Sequence, residues 1–289
     1  MILPVLIYLF LFCYKPMYGL VIAFKDYKIT RGIDGSNWSN PWYKWFLNFF
    51  TDPYFGRLLK NTFMISGLTI LFGFPAPIIL ALMINEVKNS AFKRTVQTIT
   101  YMPYFISMVV MCGLLKTFCM QDGLFSQIAM AFGGSGQNFL ANPDYFRTIY
   151  VLSDIWSGIG WNSIIYLAAL SSIDQEQYEA ARVDGANRFK QMIHITLPGL
   201  VPTIMVLFIL RMGNILNVGY EKILLLYNSA TYITADVIST YTYRLSFGGS
   251  GNPMYSKSTA IGLFNTIINV FFLMLTNMIS KKATDAGLF

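Results

Sequence analysis

The chain has 289 residues, of which 55% are hydrophobic and only 12% are charged. A soluble domain carries about 25% charged residues, and charges are rare in segments surrounded by lipid, so the composition excludes an ordinary soluble domain and indicates a membrane protein. The net charge of +7 comes from bases scattered along the chain. Without a dense basic stripe, this charge indicates contact with the lipid bilayer and its anionic headgroups, and no nucleic-acid partner is expected.

Six apolar segments predict transmembrane helices, because about 20 helical residues cross the hydrocarbon core. They lie at residues 2–24, 62–84, 98–118, 149–170, 200–218 and 259–279. Pro75 and Pro77 in the second span and Pro103 in the third predict kinks. The predicted fold class is therefore all-α: a polytopic membrane helical bundle of about six helices, forming one domain over 1–289 with its core spans at about 60–280.

Basic residues predict how this bundle is oriented. The loop after the second span contains Lys88, Lys93 and Arg94, and Lys281 and Lys282 follow the last span. Lys and Arg are enriched in short cytoplasmic loops. We therefore expect both termini, and the loop between the fourth and fifth spans, on the cytoplasmic side.

The loop between the fourth and fifth spans, 174–198, has the pattern of two short helices joined by a bend. Asp174 is expected to cap the first helix. Gly185 permits the left-handed backbone that ends a helix and turns the chain sharply. Pro198 predicts the start of the fifth span, since proline favours the first position of a helix, and Leu197 before it is expected outside helical geometry.

The fixed residues of this loop resemble the EAA loop of the membrane subunits of binding-protein-dependent ABC importers. The matching positions are Glu179, Ala180, Ala181, Gly185, Ile195, Leu197 and Pro198. The resemblance implies that the loop seats in a cleft of an ABC ATPase subunit and couples that subunit to the spans. The coupling residues implied in this way also include Asp184, Ala186 and Phe189.

Other segments are similar to the permeases of oligosaccharide importers of the lipoprotein-linked and aldouronate type, within the larger maltose-type carbohydrate group. They read PMYGLVIAFKDY, VQTITYMPYFIS, IWSGIGWNSIIYLAALSSID, DVISTYTYR and AIGLFNTIINV. This resemblance implies an oligosaccharide substrate, a heterodimer with a second homologous permease, two ATPase subunits, an extracytoplasmic sugar-binding protein and a bacterial plasma membrane. The chain has no G-x-x-x-x-G-K-[ST] nucleotide loop, so ATP hydrolysis is expected on another subunit.

Polar and aromatic residues inside the spans are candidates for a substrate pathway, because such residues are costly in lipid. Sugars need aromatic platforms beside amide or carboxylate partners, and the candidates are Trp161, Asn162, Tyr166 and Asn214. Arg211 is expected to pair with a carboxylate, for which Asp154 is one candidate, or to face a wet cavity. The alternative is structural: tryptophan and tyrosine form interfacial belts, and asparagine joins helices.

No cofactor, metal site or catalytic centre is expected. The chain has one histidine and three cysteines, and these do not form a spaced ligand cluster. Within ABC permeases, the alternative substrate is an amino acid, a peptide or an anion. An ion-driven secondary transporter is a second alternative, which would leave the EAA pattern unexplained, and a membrane enzyme would need a reactive cluster.

Overall fold

A computed structural model describes residues 2–248, 253–284 and 287–288, and this part of the chain is helical, with two isolated β-bridges but no strand. The helices are α1 (Leu3–Phe24), α2 (Lys44–Phe50), α3 (Phe55–Glu86), α4 (Ser90–Tyr101), α5 (Met108–Cys119), α6 (Leu124–Ala131), α7 (Pro143–Ser171), α8 (Gln175–Val183), α9 (Arg188–Met212), α10 (Tyr220–Leu226), α11 (Tyr232–Ala235), α12 (Ile238–Phe247) and α13 (Tyr255–Thr284). Short 3₁₀ turns lie at Ile29–Arg31, Met102–Phe105 and Phe139–Ala141.

Five helical segments of the described residues are long and apolar enough to cross a membrane: α1, α3, α5 with α6, α9 and α13. The all-helical, polytopic membrane fold is thus confirmed. The fourth predicted span lies within α7, whose 29 residues extend about 43 Å at 1.5 Å per residue. This helix is not among the five apolar ones, and it packs in the interior against α3, α4 and α9.

The third predicted span, 98–118, is wrong as one continuous helix. Helix α4 ends at Tyr101, a 3₁₀ turn follows, and the backbone of Ile106 and Ser107 is extended before α5 begins. Pro103 accounts for the end of α4, since it cannot donate an interior helical hydrogen bond. The Ser107 hydroxyl caps the next helix by accepting from the Val110 N–H at 3.4 Å.

Three prolines inside long helices are accommodated by π-helical turns. These turns lie at Phe10–Tyr14, Thr69–Gly73 and Met192–Thr196, and each one ends two residues before a proline: Pro16, Pro75 or Pro198. A proline ring clashes with the carbonyl four residues earlier. That carbonyl lies inside the π turn in each case, where the wider winding shifts the hydrogen-bond register, so α1, α3 and α9 continue past their prolines.

Buried polar contacts join the segments at the end of the bundle where α3 begins. Asp236 is fully buried and accepts two hydrogen bonds from Arg244, at 2.8 and 2.7 Å. The Asn61 amide donates to the Asp236 carbonyl at 2.9 Å, and Asp52 and Lys257 form a second buried ion pair at 2.6 Å. Because these groups are satisfied within the chain, this end is held together by its own residues.

Candidate functional site

The first candidate site is the loop 174–198, whose first limb is α8. The Asp174 carboxylate accepts from the Glu176 N–H at 3.0 Å, which satisfies one of the free donors at the helix start. The predicted cap is therefore present. Glu179 and Ala180 lie in the middle of α8 and are exposed, and Ala181 is half-buried.

Gly185 ends this limb in the left-handed conformation, with φ of 74°. The Ala186 N–H donates to the Ala181 carbonyl at 2.8 Å, and the Gly185 N–H donates to the Arg182 carbonyl at 3.1 Å. This pair of bonds is a Schellman motif, which satisfies the last carbonyls of the helix and reverses the chain. The turn predicted at Gly185 is thus present.

The second limb is not a separate helix, contrary to the expectation that the fifth span starts at Pro198. It begins at Arg188, capped by the Asn187 side chain, and runs without a break into the membrane as α9. Leu197 is helical, with φ of −64° and ψ of −47°, because the π turn before it makes room for Pro198. Ile195 lies within that turn.

Apolar side chains are exposed where the two limbs meet. Val183 is 88% exposed and Phe189 is 64% exposed, and Asp184 beside them is exposed as well. These two apolar residues lie on either side of the Gly185 turn. Exposed apolar side chains at the turn of a loop, here called the apolar tip, are typical of a protein-binding surface.

The loop is fixed to the bundle by contacts at its base. The Tyr178 and Thr196 hydroxyls hydrogen-bond at 3.0 Å and so join the two limbs. Arg188 and Glu86 form an exposed ion pair at 3.4 Å, which links the loop to the end of α3. These contacts place the start of α9 beside the end of α3.

The second candidate site is a polar groove inside the bundle, formed by two adjoining cavities of about 370 and 240 Å³. Thr69, Asp154 and Arg211 line both cavities. The groove therefore lies between α3, α7 and α9, which are three of the long helices.

The four sequence-predicted pathway residues all border this groove. Trp161, Asn162 and Tyr166 line the larger cavity and Asn214 lines the smaller one. Trp161 is 41% exposed and stacks on Tyr104 with ring centroids 4.6 Å apart. Tyr166 is instead only 3% exposed, within an apolar cluster, so it contributes little surface to the groove.

Asp154 has a partner that the sequence did not indicate. Its carboxylate lies 3.3 Å from the ammonium of Lys222, whose side chain is 2% exposed. Of the two alternatives for Arg211, pairing with Asp154 is therefore absent, and Arg211 instead faces the cavities. Lys222 lies on α10, outside every predicted span, and a basic residue within an otherwise apolar run (YEKILLL) was the available signal.

Comparison with known proteins identifies the family. Residues 73–285 match the binding-protein-dependent transport system inner membrane component. The chain is 43% identical to Protein LplB of Bacillus subtilis (strain 168), over 100% of this chain and 90% of that protein. It is also 43% identical to the polygalacturonan/rhamnogalacturonan transport system permease protein YteP of the same organism, over 100% and 89%.

A solved structure agrees with these relatives. The crystal structure of a bacterial ABC transporter involved in the import of the acidic polysaccharide alginate contains a chain that is 44% identical, with a TM-score of 0.88. The match covers 98% of this chain and 94% of that one. The chain thus belongs to the inner membrane components of binding-protein-dependent transport systems: it is a multi-pass permease subunit of an ABC importer, a family in which a separate subunit carries the ATPase.

Proposed function

We propose that this permease forms half of the pathway by which an acidic oligosaccharide enters a bacterial cell, with loop 174–198 coupling the pathway to a separate ATPase. The observation that carries the coupling role is the apolar tip at Val183 and Phe189, held on a loop fixed to α3 and α9. The substrate class is supported by the relatives, of which one is named for polygalacturonan and rhamnogalacturonan and another for the acidic polysaccharide alginate.

The orientation with both termini in the cytoplasm is part of this proposal. Asn269 accepts from the Leu216 N–H at 3.0 Å, and Leu273 packs near Gly213, so α9 and α13 are antiparallel. The end of α13, with Lys281 and Lys282, therefore lies toward the start of α9 and the coupling loop. These bases support a cytoplasmic location for that end of the molecule.

A second, homologous permease completes the pathway in this proposal. Trp161, Asn162, Arg211 and Asn214 are all exposed on the isolated chain although they belong to the polar groove. Lipid cannot hydrogen-bond these side chains, so a facing subunit is needed to enclose them around water and substrate. On the external side, a sugar-binding protein would deliver the oligosaccharide to this opening.

Reconstitution tests the proposal. The chain, its partner permease, the ATPase and the binding protein are assembled in proteoliposomes with ATP on the ATPase side, and uptake of labelled oligogalacturonides and of amino acids is measured. We expect ATP-dependent uptake of the oligogalacturonides alone. Uptake driven by an ion gradient without ATP would contradict the coupling role, and ATP-dependent uptake of only amino acids would contradict the substrate class.

A matched pair of variants tests the loop within the same assay. Glu179→Gln removes the motif carboxylate, whereas Glu176→Gln removes an exposed carboxylate from the same helix but outside the motif. We expect Glu179→Gln to slow uptake about tenfold, the effect of losing one charged hydrogen bond, and Glu176→Gln to leave it near wild type. Equal rates for the two variants would remove Glu179 from the coupling surface.

A further inference from the structure

We propose that Arg211 binds the carboxylate of the acidic sugar during its passage, while the buried Lys222 neutralises Asp154 so that the groove wall stays cationic. This inference rests on the proposed function, because it concerns the same groove and the same substrate class. It adds a specificity-determining residue and the arrangement of charges that makes that residue effective.

The position of Arg211 is the first step. It lies near the end of α9, is exposed, and lines both cavities of the groove. Among the residues that line the two cavities, Asp154 and Arg211 are the only ones with a formal charge at neutral pH. An anion that moves from one cavity to the other must therefore pass this pair.

Asp154 does not repel such an anion, because the ammonium of Lys222 neutralises the Asp154 carboxylate. The Lys222 ammonium lies 3.3 Å from the Asp154 carboxylate, donates to the Tyr150 carbonyl at 2.9 Å, and lies 4.4 Å from the centre of the Tyr150 ring. Since the Lys222 side chain is buried, it cannot itself reach the substrate. Its charge cancels that of Asp154, and Arg211 is left as the net charge of the wall.

Arg211 has no ion pair or hydrogen bond from its guanidinium to any other residue in the described ranges 2–248, 253–284 and 287–288. A cation within the membrane is costly unless it is paired or hydrated, and the planar guanidinium matches a carboxylate with two parallel hydrogen bonds. A uronate carboxylate supplies this missing partner. The open position of Arg211 keeps the attraction weak enough for release, because solvent screens it.

The neighbours of Arg211 suit the rest of a sugar. Asn162 lies in the larger cavity and its amide makes no hydrogen bond to the described residues, so it is free to bind hydroxyl groups. Trp161 lines the same cavity and is 41% exposed, with one ring face stacked on Tyr104. An acidic amino acid of the second permease is the competing partner for Arg211, and the experiment separates it from the substrate.

The test measures the maximal rate of ATP-dependent uptake by intact complexes in proteoliposomes. Arg211→Gln removes the charge, Arg211→Lys keeps it, and Lys60→Gln is the control, which removes an exposed charge of α3 outside the groove, about 13 Å along the helix from Thr69. Each variant is assayed with an oligogalacturonide and with its methyl-esterified form of equal length. Size-exclusion recovery of the complex shows that each variant assembles.

For the oligogalacturonide we expect Arg211→Gln to lower the maximal rate at least tenfold, with the half-saturating concentration unchanged, because the binding protein captures the sugar. Arg211→Lys is expected to stay within about threefold of wild type, as is Lys60→Gln. The methyl ester, if wild type carries it, should be slowed less than threefold by Arg211→Gln.

Three results with assembled complexes would overturn the inference: full activity of Arg211→Gln, equal slowing by Arg211→Gln of the uptake of the oligogalacturonide and of its methyl ester, or an Arg211→Lys variant as slow as Arg211→Gln. Failure of Arg211→Gln to assemble would assign Arg211 to the contact with the second permease and would also overturn it. If the wild-type complex takes up no acidic oligosaccharide, the proposed function itself fails. Because that result is measured on the wild-type complex, it is distinct from a loss of uptake confined to the variants.

Discussion

The two ends of the bundle differ in how their side chains are buried and paired. Near the start of α3, Asp236 is fully buried and paired with Arg244. At the other end of α3, whose 32 residues extend about 48 Å at 1.5 Å per residue, loop 174–198 exposes 88% of Val183 and 64% of Phe189. The first region pairs its buried charges within the chain, although apolar side chains such as Ile233 are exposed there as well, whereas the turn of loop 174–198 consists of exposed residues.

This contrast distinguishes the residues on which folding of the chain depends from those that are available for contact with another subunit. A substitution at the internally paired end removes a contact on which the folded chain depends, because a charge buried without its partner is costly. A substitution at the exposed tip should leave the fold unchanged and, in the proposed complex, remove contact area from the ATPase. The following predictions test this division, beginning with the largest expected effect.

Asp236→Asn should prevent stable folding. It leaves Arg244 without the carboxylate that accepts two of its hydrogen bonds, and breaking a buried ion pair costs about 3–5 kcal/mol. The yield of monodisperse, detergent-solubilised complex measures this loss. Asp26→Asn is the control, since it breaks a half-exposed pair with Lys44 at 2.9 Å, worth about 1 kcal/mol or less; equal yields for both variants would contradict the division.

Gly185→Val should abolish most transport while the spans remain folded. The left-handed backbone at Gly185 has open space for a side chain but is strained for a β-branched residue, so the turn would open and displace the tip. We expect ATP-dependent uptake to fall at least tenfold with the complex's melting temperature nearly unchanged. Gly56→Val, at a helical position that also has open space, is the control and should transport normally.

Val183→Ser combined with Phe189→Ser should weaken ATPase binding. The two side chains form the apolar tip, and buried interface anchors contribute about 2 kcal/mol or more each, so the ATPase should dissociate on dilution at concentrations that leave the wild type intact. Ile233→Ser is the control, because Ile233 is 62% exposed at the opposite end. A double variant that retains the ATPase as tightly as wild type would remove the tip from the interface.

Tyr241→Phe should alter the pH dependence of stability by a smaller amount, because it removes one hydrogen bond to the Asp52 carboxylate and leaves the Asp52–Lys257 pair in place. Burial alone would raise the pKa of Asp52, but hydrogen bonds from Lys257 and Tyr241 outweigh it and hold the pKa below its usual value. The stabilisation is therefore fully present above the unfolded pKa of about 4 and is lost as pH falls through the folded pKa. Below about pH 4, the melting temperature of the wild type should fall more steeply with decreasing pH than that of the variant. Parallel curves of melting temperature against pH would contradict this.

Short-range features of the coupling loop were predictable because neighbouring residues determine them. Asp174 caps α8 and Gly185 turns the chain by bonds to residues within five positions. The pairing of Lys222 with Asp154 was not predictable, since 68 residues separate them and only the packing of α10 against α5 and α12 brings Lys222 to α7. The hydropathy of residues 98–118 also gave no sign of the break at Ser107. The local signal was Ser107 itself, an N-cap residue four positions after Pro103.

The prolines show a second limit of sequence reasoning. Pro75 and Pro198 were expected to kink or start a helix, since a proline in a regular α-helix clashes with the preceding turn. The structure places a π turn before each one, and whether a helix widens or breaks depends on the packing around it. Pro103, which follows no π turn, lies in the 3₁₀ turn after the end of α4, whereas Pro202 remains inside α9.

The side of the membrane on which loop 174–198 lies decides whether the loop can bind the ATPase. In a Cys13→Ser background, in which Cys112 and Cys119 are buried, Val183→Cys and Ile233→Cys are labelled separately with a membrane-impermeant maleimide. We expect Val183→Cys to react only from the cytoplasmic side, to be protected when the ATPase is assembled, and Ile233→Cys to react only from outside. Labelling of Val183→Cys from the external side, or equal labelling with and without the ATPase, would contradict a cytoplasmic loop that binds the ATPase.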